Sequence, residues 1–151
     1  MAKFVFSMEN LLRIKIKFED QAKAEYGIQM AILRQEEEKL LEMERRKDEM
    51  QEQLKEQVSA VLDLFRIRQL EDGVENIKYN MNLQKVVIAN QQKKVEQARK
   101  KLDEAMKERK TYEKLKEKAF EVFKQEVNAQ EQKEIDELVS FRFGNGKESE
   151  D

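Results

Sequence analysis

Apolar residues recur along most of this chain at alternating steps of three and four. The steps visit twelve positions between residues 26 and 64, of which eight are apolar, and seventeen from residue 70 to 126, of which twelve are apolar. Such spacing is typical of a heptad repeat, in which one narrow apolar stripe of a helix packs against a second helix. The pattern therefore predicts long α-helices joined along a hydrophobic seam. The seam positions are Tyr26, Gln29, Leu33, Glu36, Leu40, Met43, Lys47, Met50, Leu54, Gln57, Val61 and Leu64, then Leu70, Val74, Ile77, Met81, Gln84, Ile88, Gln91, Val95, Ala98, Leu102, Ala105, Arg109, Tyr112, Lys116, Ala119, Phe123 and Glu126.

Several of these seam positions carry polar side chains, among them Glu36, Lys47, Gln84 and Gln91. Polar seam residues cost stability but disfavour alternative registers of the two helices. We interpret them as register control, and a looser, bendable middle is the alternative.

A hairpin requires one turn, and the sequence offers two places for it. Residues 57–62 contain Ser59, a residue type that caps helices, followed by Asp63 for the first turn of a new helix. Gly73 is the second place, because glycine ends many helices. The charges favour Gly73, since residues 36–56 hold nine acids and five bases and residues 93–118 hold eleven bases and six acids.

The unbroken seam through Gly73 favours the first turn, since one internal glycine costs a helix only about 1 kcal/mol. We therefore predict an all-α fold, a long antiparallel two-helix coiled-coil hairpin. Its helices are expected at about 5–57 and 62–142, with a disordered tail over residues 144–151.

The composition removes most other function classes. Charged residues make up 41% of the chain, and there is no proline, cysteine or histidine. Without cysteine or histidine, zinc sites and the usual nucleophile–base pairs are not expected, and the abundant carboxylates have no cleft to work in. We expect no enzyme activity, no cofactor and no metal. The formal charge of −2 argues against nucleic-acid binding, and no apolar run is long enough for a signal peptide or a membrane span. A cytoplasmic protein is the expectation.

The aromatic residues concentrate towards the two ends of the chain. Phe4, Phe6 and Phe18 lie near the start, and Phe120, Phe123, Phe141 and Phe143 lie in the last third. They either pack the helix ends together or anchor a partner. Because Phe4 and Phe6 cannot share one helical face, the first residues are either extended or offer one ring outward.

Three stretches resemble the flagellar type III export protein family FliJ. They are the opening "KFVFSMENLLRIKIKFEDQAKAEY", the segment "ERKTYEKLKEKAFEVF" at 108–123 and the segment "EQKEIDELVSFRF" at 131–143. The middle, "VSAVLDLFRIRQLEDGVENI", is similar to that family's turn and second-helix start.

This resemblance implies a non-enzymatic stalk that binds a hexameric export ATPase and the cytoplasmic side of the export gate membrane protein. It also implies escort of export chaperones, at the base of the flagellar export apparatus on the inner face of the membrane. An equivalent protein of a virulence secretion system and a homodimeric structural coiled coil are the alternatives. Carried over, the ATPase-binding residues are Phe4, Phe6, Leu11, Glu131, Gln132, Lys133, Asp136 and Glu137. The residues that bind the export gate are Arg66, Leu70, Gly73 and Ile77.

Overall fold

Two α-helices make up the fold. The computed structural model describes residues 2–59 and 63–148, with side chains for 2–57 and 63–144. Helix α1 spans Glu9–Ser59 and helix α2 spans Leu64–Glu148. The described part of the chain contains no strand. The predicted all-α helical hairpin, with two long helices packed against each other, is confirmed.

Helix α1 begins at Glu9, four residues later than the predicted start near residue 5. The amide of Glu9 donates to the carbonyl of Phe6 at 3.1 Å, and the amide of Leu12 donates to the carbonyl of Met8 at 3.0 Å. The carboxylate of Glu9 in the first turn also suits the positive end of the helix dipole. The residues before this turn are not helical.

Helix α2 begins with a side-chain cap. The Asp63 carboxylate accepts a hydrogen bond from the backbone amide of Arg66 at 3.2 Å, and its carbonyl accepts one from Ile67 at 2.9 Å. Asp63 is therefore the N-cap residue itself, one position before the first turn in which the sequence had placed it.

The predicted turn at 57–62 lies partly outside the described residues. Residues 57–59 still belong to α1, and residues 60–62 are not described. The alternative turn at Gly73 is wrong, because Gly73 lies inside α2. A Cβ built on Gly73 would lie 3.0 Å from Sδ of Met50. The flexible end of the Met50 side chain thus lies against the position that a side chain at residue 73 would begin to fill.

The C-terminal end of α2 lies further along the chain than predicted. The helix continues to Glu148, although an end near residue 142 and a disordered tail from residue 144 were expected. A glycine inside a helix costs about 1 kcal/mol, which is not enough by itself to end a helix of this length.

The chain divides into two compact units. Unit 1 comprises Met1–Glu19 and Ala105–Asp151, and unit 2 comprises Asp20–Glu104. In each unit a stretch of α1 packs against a stretch of α2.

Unit 2 is held by the predicted seam. Within it, the α1 seam positions from Tyr26 to Gln57 are all partly buried, and those of α2 from Leu70 to Leu102 are all buried or partly buried. Leu70 is only 4% exposed. Val61 lies outside the described residues, and Leu64 is exposed.

Two hydrogen-bonded glutamine layers fix the register of unit 2. The Gln84 amide donates to the Glu36 backbone carbonyl at 2.9 Å and to its carboxylate at 2.6 Å. The Gln91 amide donates to the backbone carbonyl of Gln29 at 2.9 Å and to its side-chain oxygen at 2.7 Å. Moving seven residues forward on α2 moves the partner seven residues back on α1, which defines an antiparallel pair. These bonds support the register-control interpretation of the polar seam positions.

Candidate functional site

An aromatic cluster of unit 1 joins the non-helical start of the chain to α2. The ring of Phe4 lies 5.2 Å from the ring of Phe120 in an edge-on arrangement and 5.4 Å from that of Phe123. The Phe6 side chain is buried, with 7% of the residue exposed. The ammonium of Lys124 lies 5.1 Å from the centre of the Phe120 ring. Because residues 2–6 are not helical, Phe4 and Phe6 are both free to pack, and neither ring points fully outward.

Ion pairs continue this contact along unit 1. Glu9 pairs with Lys116 at 2.9 Å, and Lys15 donates to the carboxylate of Glu108 at 2.9 Å. This hydrogen bond raises the pKa of Lys15 above its ordinary value. The antiparallel packing of unit 1 therefore ends in an aromatic cluster flanked by charge pairs.

Arg109 of α2 forms ion pairs with two glutamates in unit 1. It donates to Glu113 at 2.8 Å and also to Glu19, whose residue is only 4% exposed. These two hydrogen bonds raise the pKa of Arg109. The sequence showed Arg109 only as a break in the apolar seam. Its partner Glu19 lies on α1 before Tyr26, the first seam position identified from the sequence. The ion pair between Glu19 and Arg109 was therefore not predicted.

Beyond this packed region, α2 continues without a covering helix. Among the residues of α2 whose side chains are described, Val127 is the last partly buried one, and every residue from 128 to 144 is exposed. We call residues 128–144 the C-terminal extension. Its exposed apolar side chains are Ile135 at 53%, Leu138 at 60%, Val139 at 46%, Phe141 at 66% and Phe143 at 71%.

Three of the five exposed apolar residues of the C-terminal extension lie on one face of the helix. Ile135, Leu138 and Val139 follow the i, i+3, i+4 spacing of a single face. On the preceding turn, the amide of Gln132 donates to the carboxylate of Asp136 at 3.1 Å. An exposed apolar stripe bordered by polar groups is typical of a protein contact site, and a helix can place such a stripe in a partner's groove. The contact residues predicted from the sequence in this segment are all charged or polar, and these three apolar residues were not among them.

The residues predicted to bind an ATPase all fall in unit 1, in two different environments. Phe6 is buried and Phe4 is partly buried in the aromatic cluster. Leu11 is 43% exposed on the first turns of α1. The remaining five residues are exposed on the C-terminal extension, and they are Glu131, Gln132, Lys133, Asp136 and Glu137.

The four residues predicted to bind the export gate lie on the first turns of α2 in unit 2. Arg66 is exposed, and its guanidinium donates to the side-chain oxygen of Gln53 on α1 at 3.2 Å. Leu70 is 4% exposed, and Gly73 and Ile77 are partly buried. The last three therefore belong to the seam with α1.

Neither a metal-binding cluster nor a membrane-spanning helix is found among the described residues. No group of three or more histidine, cysteine, aspartate or glutamate residues in the described ranges is arranged to hold a metal ion. Among the described helices, neither has an apolar stretch long enough to cross a membrane.

The chain matches one protein family over most of its length. The model of the family described as "Flagellar FliJ protein" matches residues 4–148 of the 151. No curated protein and no solved structure matches it. The family match spans both helices, the aromatic cluster and the C-terminal extension. The chain therefore belongs to the flagellar FliJ family, the export-associated components of flagellar assembly.

Proposed function

We propose that this chain is a non-enzymatic stalk of the flagellar type III export apparatus and that it binds the hexameric export ATPase through unit 1. Membership of the FliJ family supports a role in flagellar export. The observation that carries the contact itself is the C-terminal extension. It is the longest run of described residues without a packing partner, and it displays an apolar stripe.

Unit 1 contains one region in which the helices pack together and one that is exposed. The aromatic cluster and the ion pairs of Arg109 and Glu9 hold α1 against α2. The C-terminal extension contributes nothing to that packing, since each of its residues is exposed. A stripe of exposed Ile and Leu side chains costs solubility, so we infer that it is kept for binding. Of the predicted ATPase-binding residues, the five on the extension thus have stronger support than Phe4 and Phe6, which are occupied by internal packing.

We place the export-gate contact on the first turns of α2. Arg66 is exposed there, together with Leu64 at 76% and Phe65 at 72%. Leu70 and Ile77 pack in the seam with α1. They would therefore hold this part of α2 in position and would touch the export gate only if the two helices separated. Escort of export chaperones and a position at the base of the apparatus on the inner face of the membrane complete the proposal, supported by family membership.

Removal of the C-terminal extension tests the ATPase contact. A chain that stops after Val127 keeps the aromatic cluster, the ion pairs and the whole of unit 2. We expect it to remain folded, with cooperative thermal unfolding by circular dichroism, and to lose binding to the purified flagellar export ATPase in a calorimetric titration. Full-strength binding by the shortened chain would overturn the assignment of the contact to the extension.

A flagellar rather than a virulence-system role is favoured by the family that matches. The homodimeric alternative in which each chain forms one continuous helix is disfavoured by the two-helix packing, since α1 ends at Ser59 and packs antiparallel to α2.

A further inference from the structure

Helix α2 carries a second apolar stripe in unit 2, on a face turned away from α1. Its members are Tyr79 at 65% exposure, Leu83 at 49%, Val86 at 58% and Val87 at 43%. Their spacing of four, three and one places them on one side of the helix. The seam with α1 uses the different set Met81, Gln84 and Ile88, which is buried. No described residue of unit 2 covers the second stripe.

Four pairs of residues along this face match chemically about Leu83, whereas Val86, three residues after Leu83, has Asn80 as its counterpart. Equal steps of four, seven, eleven and fourteen residues before and after Leu83 reach side chains that complement each other, and all of them are exposed. The pairs are Tyr79 with Val87, Asn76 with Asn90, Asp72 with Lys94, and Gln69 with Gln97.

A sequence that complements itself in reverse is the pattern required by a two-fold axis. In a symmetric antiparallel dimer each residue meets the residue at the equal distance on the other side of the axis. With the axis at Leu83, the two copies of Leu83 meet, Asn76 meets Asn90, and the carboxylate of Asp72 meets the ammonium of Lys94. Amide pairs of this kind restrict a helix pair to one register.

We propose that a second copy of this chain docks antiparallel on the Leu83 face of α2. The charges set the direction. Asp72 and Glu75 give the face one acidic end, and Lys93 and Lys94 give it one basic end. An antiparallel copy places each acidic end against a basic end, whereas a parallel copy places like charges together.

The size of the face sets the strength of the association. Stable protein interfaces bury roughly 800 Å² per partner. Four apolar side chains that are each about half exposed supply only part of that area, so the dimer is a transient one. It forms at concentrations of roughly 10 μM to 1 mM. The dimer uses unit 2, while the proposed ATPase contact uses unit 1, so the two proposals succeed or fail separately.

Sedimentation of the full chain over this concentration range tests the proposal. We expect a reversible monomer–dimer equilibrium. Leu83→Glu is expected to weaken the dimer at least about 10-fold, because the substitution places two carboxylates together on the axis. Leu41→Glu is the matched control, since Leu41 is 63% exposed on α1 of the same unit and lies off the face. A monomer at every concentration would overturn the proposal, and so would equal weakening by both variants.

A charge exchange tests the antiparallel arrangement. Asp72→Lys and Lys94→Asp are each expected to weaken the dimer several-fold, because each places like charges across the axis. The double variant restores the opposite pairing and is expected to recover most of the wild-type affinity. If the loss of dimer affinity in the double variant equalled the sum of the losses in the two single variants, the two-fold axis at Leu83 would be contradicted. The face would then have to bind a different partner.

Discussion

Truncation of two side chains on the C-terminal extension separates partner binding from folding. In Ile135→Ala/Leu138→Ala the lost side chains are 53% and 60% exposed in the free chain. Full burial of such a side chain is worth about 1.5–3 kcal/mol, so burial of the exposed half on a partner is worth about 1 kcal/mol. The pair together is worth about 2 kcal/mol, or about 30-fold in the Kd for the export ATPase.

The same substitution should leave the fold unchanged. Alanine is at least as good a helix former as the residues it replaces, and neither side chain packs against α1. The matched control is Ile28→Ala/Leu41→Ala, whose side chains are 54% and 63% exposed in unit 2. We expect unchanged thermal unfolding by circular dichroism for both variants, and weakened binding in a titration for the first alone.

Two results would refute this reasoning. Equal affinities of the two double variants would mean that exposed apolar area on the C-terminal extension carries no binding energy. A large drop in the unfolding temperature of the extension variant would mean that its side chains stabilise the chain itself rather than meet a partner.

Three further predictions concern stability, each checked by thermal unfolding. Hydrogen bonds from Gln84 above all hold the pKa of Glu36 below its ordinary value of 4.5. This stabilisation is present above that value and is lost as the pH falls through the lowered pKa, so the advantage of wild type over Glu36→Gln should shrink as the pH falls below 4.5; a difference in unfolding temperature that stays constant would contradict it. Phe4→Ala removes two ring contacts in unit 1 and should cost about 1–2 kcal/mol, lowering the unfolding temperature; an unchanged temperature would show that the cluster does not stabilise the fold. Gly73→Ala gains up to about 1 kcal/mol of helix propensity while its Cβ meets the flexible end of Met50, so a small rise is expected, and a clear fall would mean that Met50 cannot shift.

The seam was predictable from sequence because heptad spacing records which side of a helix is buried. All described seam positions from Tyr26 to Phe123 except Leu64 are at least partly buried. Glu126 is exposed instead, and Val127 takes its place. The helix ends were less predictable, because the costs of starting or ending a helix are small. Glycine at 144 did not end α2, and Asp63 rather than Ser59 caps its start.

The candidate site was predictable only in part. Motif resemblance located the block of charged residues at 131–137, but it could not show which part of α2 lacks a partner helix. That property depends on how far the start of the chain reaches along α2. Glu9, the first residue of α1, pairs with Lys116, and the non-helical Phe4 reaches only Phe120 and Phe123. The packing of Phe4 and Phe6 likewise depends on a non-helical backbone that spacing alone left open.

The most direct test of the proposed function is the rate of ATP hydrolysis by the purified flagellar export ATPase as the full chain is added. We expect no hydrolysis by the chain alone, and a saturable rise in the ATPase rate that is lost when the chain stops after Val127. An ATPase rate that does not respond to the folded full chain would contradict it.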